Sequence, residues 1–196
     1  MKKKIVKTIN KTCPSTAQYF GKAGDKPNKL RPMFRYVRDN MGGNLVGVEV
    51  GVDRAVNARK VLELLDIKWL YLVDPYTPYE NHRTYEEQQR YKKQAKNHLK
   101  HYSDRTYWMY YDSLTASQNL QNLFFDFVYI DALHDYTNVL NDCVYWYPLV
   151  RKGGVLGGHD FNGSHKELRQ AVRDFCSDNG LKLFVKPDDW WIVKEG

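Results

Sequence analysis

The stretch "FDFVYIDALHDY", Phe125 to Tyr136, is nearly unbroken in its apolar and aromatic character up to Asp131 and then presents His134 and Asp135. A buried strand that ends in charge has something to hold. His134 follows Asp131 by three residues, about one turn into the next segment, and imidazole is the side chain best suited to take up a proton near neutral pH. Asp135 reads instead as a helix-start acid. A second run, "GGVLGGHD", closes on His159 and Asp160. Two carboxylates with a histidine between them suit general acid–base chemistry, or the capture of a cation that prefers oxygen ligands.

The same punctuation recurs upstream. "LVGVEV" leads through Glu49 to Gly51, "WLYLVD" ends at Asp74, and "RTYWMYYD" ends at Asp112 beside Ser113. Carboxylates gathered on one rim suit a ligand with hydroxyls, amines or positive charge, because they accept hydrogen bonds and attract cations. They suit a bare phosphate poorly. The turn "EVGVDRA" carries a single glycine, so the glycine triplet that cradles a dinucleotide pyrophosphate is missing and an NAD-linked oxidoreductase is not indicated.

The elements that must position these residues alternate. A helix is expected from about Pro32 to just before "MGGN"; Ala58, Val61, Leu62 and Leu65 form one helical face after the first strand. The polar stretch Thr84–His101 is helix-compatible. Tyr136, Val139, Leu140, Cys143 and Tyr147 follow the fourth strand at helical spacing, and Leu168, Ala171, Val172 and Phe175 mark a last helix. "LKLFV" and "WWIVK", separated by "KPDD", can pair as a hairpin. This order predicts a mainly parallel sheet with right-handed crossovers and an antiparallel addition at its end. In such a sheet, ligands bind beyond the carboxyl ends of the strands, where strand order reverses. Residues 1–29 read as an irregular lead-in, and 30–196 as a single domain. The excursion carrying Tyr76, Tyr79 and His82 toward Tyr91 either covers a ligand or decorates the surface.

At 196 residues the chain fits one domain. Its formal charge of +7 comes from Lys and Arg spread along the sequence, which reads as a solvated basic surface rather than a nucleic-acid face. Cys13, Cys143 and Cys176 form no close-spaced pair for zinc or redox chemistry. With neither a signal-peptide core nor a spanning apolar run, a soluble cytoplasmic protein with reduced thiols is expected.

The ordered set "GVEVGVDRA", "LYLVDPY", "YYDSL" and "YIDALHDY…GGVLGGHDF" resembles the successive motifs of class I S-adenosylmethionine-dependent methyltransferases. The likeness is to the small O-methyltransferase-like group with Asp-x-x-His after strand four, and it spans roughly Arg35 to Lys194. It implies an α/β, Rossmann-like three-layer sandwich. By the same resemblance, Glu49 and Gly51 face the methionine half of S-adenosylmethionine, Asp74 accepts the ribose hydroxyls, and Asp112 with Ser113 lies beside the adenine. The pattern often has a second glycine where this chain has Ala55.

In metal-dependent relatives, acids at the places of Asp131 and Asp160 bind magnesium. The position after the second acid often carries another acid or amide; here it is Phe161, with Asn162 one residue further. A metal-free site is the alternative, with His134 as base and Asp160 or His159 positioning the substrate. The expected function is O-methylation of a small-molecule or saccharide hydroxyl, with no membrane or nucleic-acid partner. A nucleic-acid methyltransferase and a noncatalytic module retaining the fold are the competing readings.

Overall fold

The computed structural model describes residues 30–79 and 83–195. The N-terminal lead-in, residues 1–29, with Cys13, and His82 of the expected excursion lie outside the described residues. The chain runs α1 (Pro32–Asn40), β1 (Leu45–Val50), α2 (Val56–Leu64), β2 (Ile67–Val73), α3 (Tyr85–His98), β3 (Thr106–Met109) and α4 (Ser113–Asn119). It continues β4 (Phe125–Ile130), α5 (Tyr136–Trp146), β5 (Val150–Gly158), α6 (Lys166–Asp178), β6 (Leu183–Lys186) and β7 (Asp189–Val193).

The seven strands form one sheet in the order β3-β2-β1-β4-β5-β7-β6. β1 to β5 pair in parallel, and the β6–β7 hairpin adds antiparallel to β5. This is the expected Rossmann-like architecture. Strand order reverses between β1 and β4, so the ends of those two strands flank the place where a ligand crevice opens.

Apart from Asp126, the apolar character of β4 follows from burial on both faces. Phe125, Val128 and Ile130 pack with α4, α5 and α6 through Ala116, Val139, Trp146 and Val172. Phe127 and Tyr129 pack on the other face with Phe34 of α1, and Ala58 and Val61 of α2 lie in the same core. Gly47 of β1 is required by this packing, since a Cβ there would sit 2.1 Å from the Phe127 ring.

Several boundaries differ from expectation. β3 stops at Met109, short of Asp112, and the unforeseen α4 begins at Ser113. α3 ends at His98 and gives way to a 3-10 turn, Lys100–Tyr102. Among the described residues, no helix is long and apolar enough to cross a membrane.

Candidate active site

A cavity of about 1040 Å³ opens at the carboxyl ends of β1, β2 and β4. Its wall includes Glu49, Gly51, Asp74, Asp112, Ser113, Asp131 and His134, so seven of the eight expected site residues share one space. Asp160 stands behind His134 rather than on this wall.

The turn after β1 is built tightly. Gly51 has φ +87°, and a Cβ on it would lie 2.1 Å from the Asp131 carbonyl oxygen. Asp74, at the end of β2, clamps this turn. Its Oδ2 accepts from the amides of Val52 (3.0 Å) and Asp53 (2.9 Å), and its Oδ1 accepts from that of Tyr76 (2.9 Å). Burial still raises the Asp74 pKa above the ordinary value, against the pull of these amides. Ala55 occupies the left-handed region at φ +58° and is fully buried. The place where the family pattern often has glycine is therefore one that favours glycine, held here by alanine at a strain of about 1–2 kcal/mol.

Glu49 is 3% exposed. Its Oε1 accepts from Asn57 Nδ2 at 2.9 Å, while the buried Oε2 has no hydrogen-bond partner among the described residues. Desolvation pushes its pKa up to about 8, so at neutral pH the side chain is mostly a neutral acid. An orphaned carboxyl oxygen on a cavity wall fits a ligand carrying an ammonium group.

The Asp112–Ser113 turn is held by its own structure. Asp112 caps α4, accepting from the Thr115 amide (2.9 Å) and hydroxyl (2.7 Å), bonds that lower its pKa. The Ser113 hydroxyl donates to Asp142 Oδ1 and accepts from Trp146 Nε1 at 2.8 Å. Burial lifts Asp142 to about 7. Asp135 caps α5 by accepting from the Asn138 amide at 3.0 Å, as its position suggested.

His134 Nε2 lies 3.0 Å from Asp160 Oδ2, at ion-pair distance, although its N–H is not aimed for a hydrogen bond. The Asp160 carboxylate is the chief cause that raises the His134 pKa. His159 Nδ1 is 3.1 Å from Asp160 Oδ1, and His165 Nε2 is 4.0 Å from the same atom. His134 first, and then His159, hold the Asp160 carboxyl far below the usual range. Asp160 itself sits at φ +59°, a conformation kept by its surroundings.

Arg31 was not foreseen. Its Nη1 donates to Asp131 Oδ2 at 2.7 Å and to the Tyr129 hydroxyl at 2.9 Å. A carboxylate oxygen each of Asp131 and Asp160 and a ring nitrogen of His159 lie within 4.8 Å of one another. Magnesium nevertheless fits this set poorly. Arg31 already neutralises Asp131, Phe161 is buried in the core, and Asn162 is turned to Asp188 and the Ser164 amide. Magnesium wants oxygen donors, and an imidazole takes the third place.

A family model described as a methyltransferase domain matches residues 34–161. The chain belongs to that family. It is an S-adenosylmethionine-dependent methyltransferase, in keeping with its sheet order and the cavity at the strand ends. No curated protein sequence matches this methyltransferase. Among solved structures, a Corynebacterium glutamicum protein is 18% identical with a TM-score of 0.61, over 88% of this chain and 83% of its own. The O-methyltransferase from Bacillus cereus in complex with SAH is 17% identical, TM-score 0.57, over 86% and 84%. CalS11, a TDP-rhamnose 3'-O-methyltransferase of calicheamicin biosynthesis, is 17% identical, TM-score 0.57, over 82% and 75%. At these identities the likeness establishes the fold.

Proposed function

We propose that this methyltransferase transfers a methyl group to a hydroxyl of a small molecule or saccharide, with His134 as the general base. One observation carries the reading: the expected cofactor residues Glu49 and Asp74 and the candidate base His134 line one continuous cavity. S-adenosylmethionine supplies the electrophilic sulfonium methyl. Glu49 Oε2 would receive the ammonium of its methionine half. Asp74 spends three of its four lone-pair sites on backbone amides and keeps capacity for a ribose hydroxyl.

His134 Nε2 is buried against Asp160, so Nδ1 is the nitrogen left to take the acceptor's proton. Asp160 positions the ring and stabilises the imidazolium that proton uptake creates, while the deprotonated oxygen becomes the nucleophile. Asp131 adds negative charge beside the imidazolium, one cause of its raised pKa. This reading needs no magnesium. A TDP-rhamnose 3'-O-methyltransferase and a further O-methyltransferase among the structural neighbours support a hydroxyl acceptor.

The test is a screen of hydroxylated acceptors with methyl-labelled S-adenosylmethionine, followed by His134→Ala on any acceptor found. Turnover falls by roughly two to four orders of magnitude with cofactor affinity nearly intact if His134 is the base. Equal loss of both would make it a structural histidine.

A further inference from the structure

The cation of the acceptor side is already covalently in place. We propose that Arg31 fills the role a metal ion would play beside Asp131, neutralising that carboxylate and receiving the acceptor oxygen as it loses its proton. The proposal rests on the methyltransferase reading of the cavity.

Five observations converge. Arg31 lines the same cavity as Asp131 and His134. Both of its hydrogen bonds leave from Nη1, to Asp131 Oδ2 and Tyr129 Oη. Among the described residues, Nε and Nη2 have no hydrogen-bond partner, which leaves three of the five guanidinium donors for a ligand. The guanidinium is also steadied by the Tyr129 ring, 5.5 Å from its carbon. Finally, position 161 is a buried phenylalanine, so the donor a magnesium ion would next require is absent from that place.

A planar cation with free donors beside a carboxylate suits an acceptor whose reacting hydroxyl has a second oxygen next to it, as in a vicinal diol or a hydroxy acid. Such a pair can take two parallel N–H bonds, geometry that an ammonium cannot offer. No electron transfer is involved. The acceptor O–H bond breaks toward His134, and the negative charge on oxygen meets Arg31.

The experiment uses Mn²⁺ as an oxygen-seeking probe, followed by the paramagnetic resonance of the free ion, on wild type, Arg31→Met, Arg31→Lys, Asp131→Asn and Arg31→Met/Asp131→Asn. Each variant is first shown to bind S-adenosylhomocysteine, which reports a retained fold. Wild type and Arg31→Lys should leave Mn²⁺ free. Arg31→Met, with Asp131 unpaired near His159 and Asp160, should gain Mn²⁺ affinity by at least roughly tenfold, and the double variant should lose that gain. Mn²⁺ bound by wild type and lost in Asp131→Asn overturns the proposal, and that comparison decides even if Arg31→Met does not fold. No gain in a folded Arg31→Met overturns it too. Failure of wild type to bind S-adenosylhomocysteine is a separate result, directed against the methyltransferase reading.

Discussion

The hydroxyl of Tyr129, in β4, donates to Asp189 Oδ1 at 2.9 Å, reaching past β5 to the first residue of β7. Asp189 is fully buried, and its Oδ2 accepts from the Met33 amide at 2.9 Å. Arg31 bonds the same tyrosine. The start of α1 and the end of the chain are thereby fastened to β4 directly beneath Asp131. Asp189→Ala would strand the Met33 amide and leave the Tyr129 hydroxyl proton without its acceptor, so a loss of about 2–4 kcal/mol in urea unfolding is expected. A change within about 0.5 kcal/mol would mean that the junction is held by packing alone.

Glu49 makes the apoprotein pH-sensitive in a particular direction. Its folded pKa of about 8 stands above that of an unfolded chain, so the folded state holds a proton that the unfolded state gives up. Its contribution to stability is fully present below the ordinary carboxylate range and is lost as pH rises through about 8. Thermal unfolding of wild type should therefore weaken between pH 5 and 8 relative to Glu49→Gln, by on the order of a few kcal/mol. Parallel melting curves for the two proteins would refute this.

The same residue predicts proton release on cofactor binding. An ammonium placed at Oε2 restores the ionised form, so calorimetry at pH 7 in buffers of different ionisation enthalpy should show about one proton released per S-adenosylhomocysteine bound. Glu49→Gln should release none and bind roughly tenfold more weakly or worse. Equal proton release by the two proteins would place the ammonium elsewhere.

Ser113 separates two uses of one turn. Its hydroxyl links Asp142 to the Trp146 indole, so Ser113→Ala should cost about 1–3 kcal/mol of stability. Cofactor affinity should fall no more than about threefold if the side chain serves as a strut. Unchanged stability with a tenfold or larger loss of affinity would assign the hydroxyl to the adenine.

The sequence made the strand ends legible because each buried strand announces itself by an apolar run that stops at charge, as Glu49, Asp74 and Asp131 show. The helix faces were legible for the same reason: Ala58 and Val61, or Leu168 and Val172, recur at a helical period and are buried. α4 was missed because "SLTASQN" is short and has little apolar periodicity. It declares itself only through the Asp112 cap. Arg31 was missed for a different reason. It lies 100 residues from Asp131, just before a proline-started helix, and no local pattern marks such a pairing. Asp189 sits in what reads as a polar turn and is buried only because β7 begins there. The gathering of His159 and His165 with His134 about Asp160 likewise depends on the left-handed turn at Asp160, which a sequence does not display.

The central claim is that the cavity at the strand ends holds S-adenosylmethionine through Asp74, and calorimetric titration with S-adenosylhomocysteine tests it most directly. Wild type should bind at a single site. Asp74→Ala, which removes the ribose acceptor and loosens the clamp on Val52 and Asp53, should weaken binding by roughly 100-fold or more while remaining folded by circular dichroism. Folded wild type that takes up no S-adenosylhomocysteine, or an Asp74→Ala variant that binds it as tightly, would contradict the account.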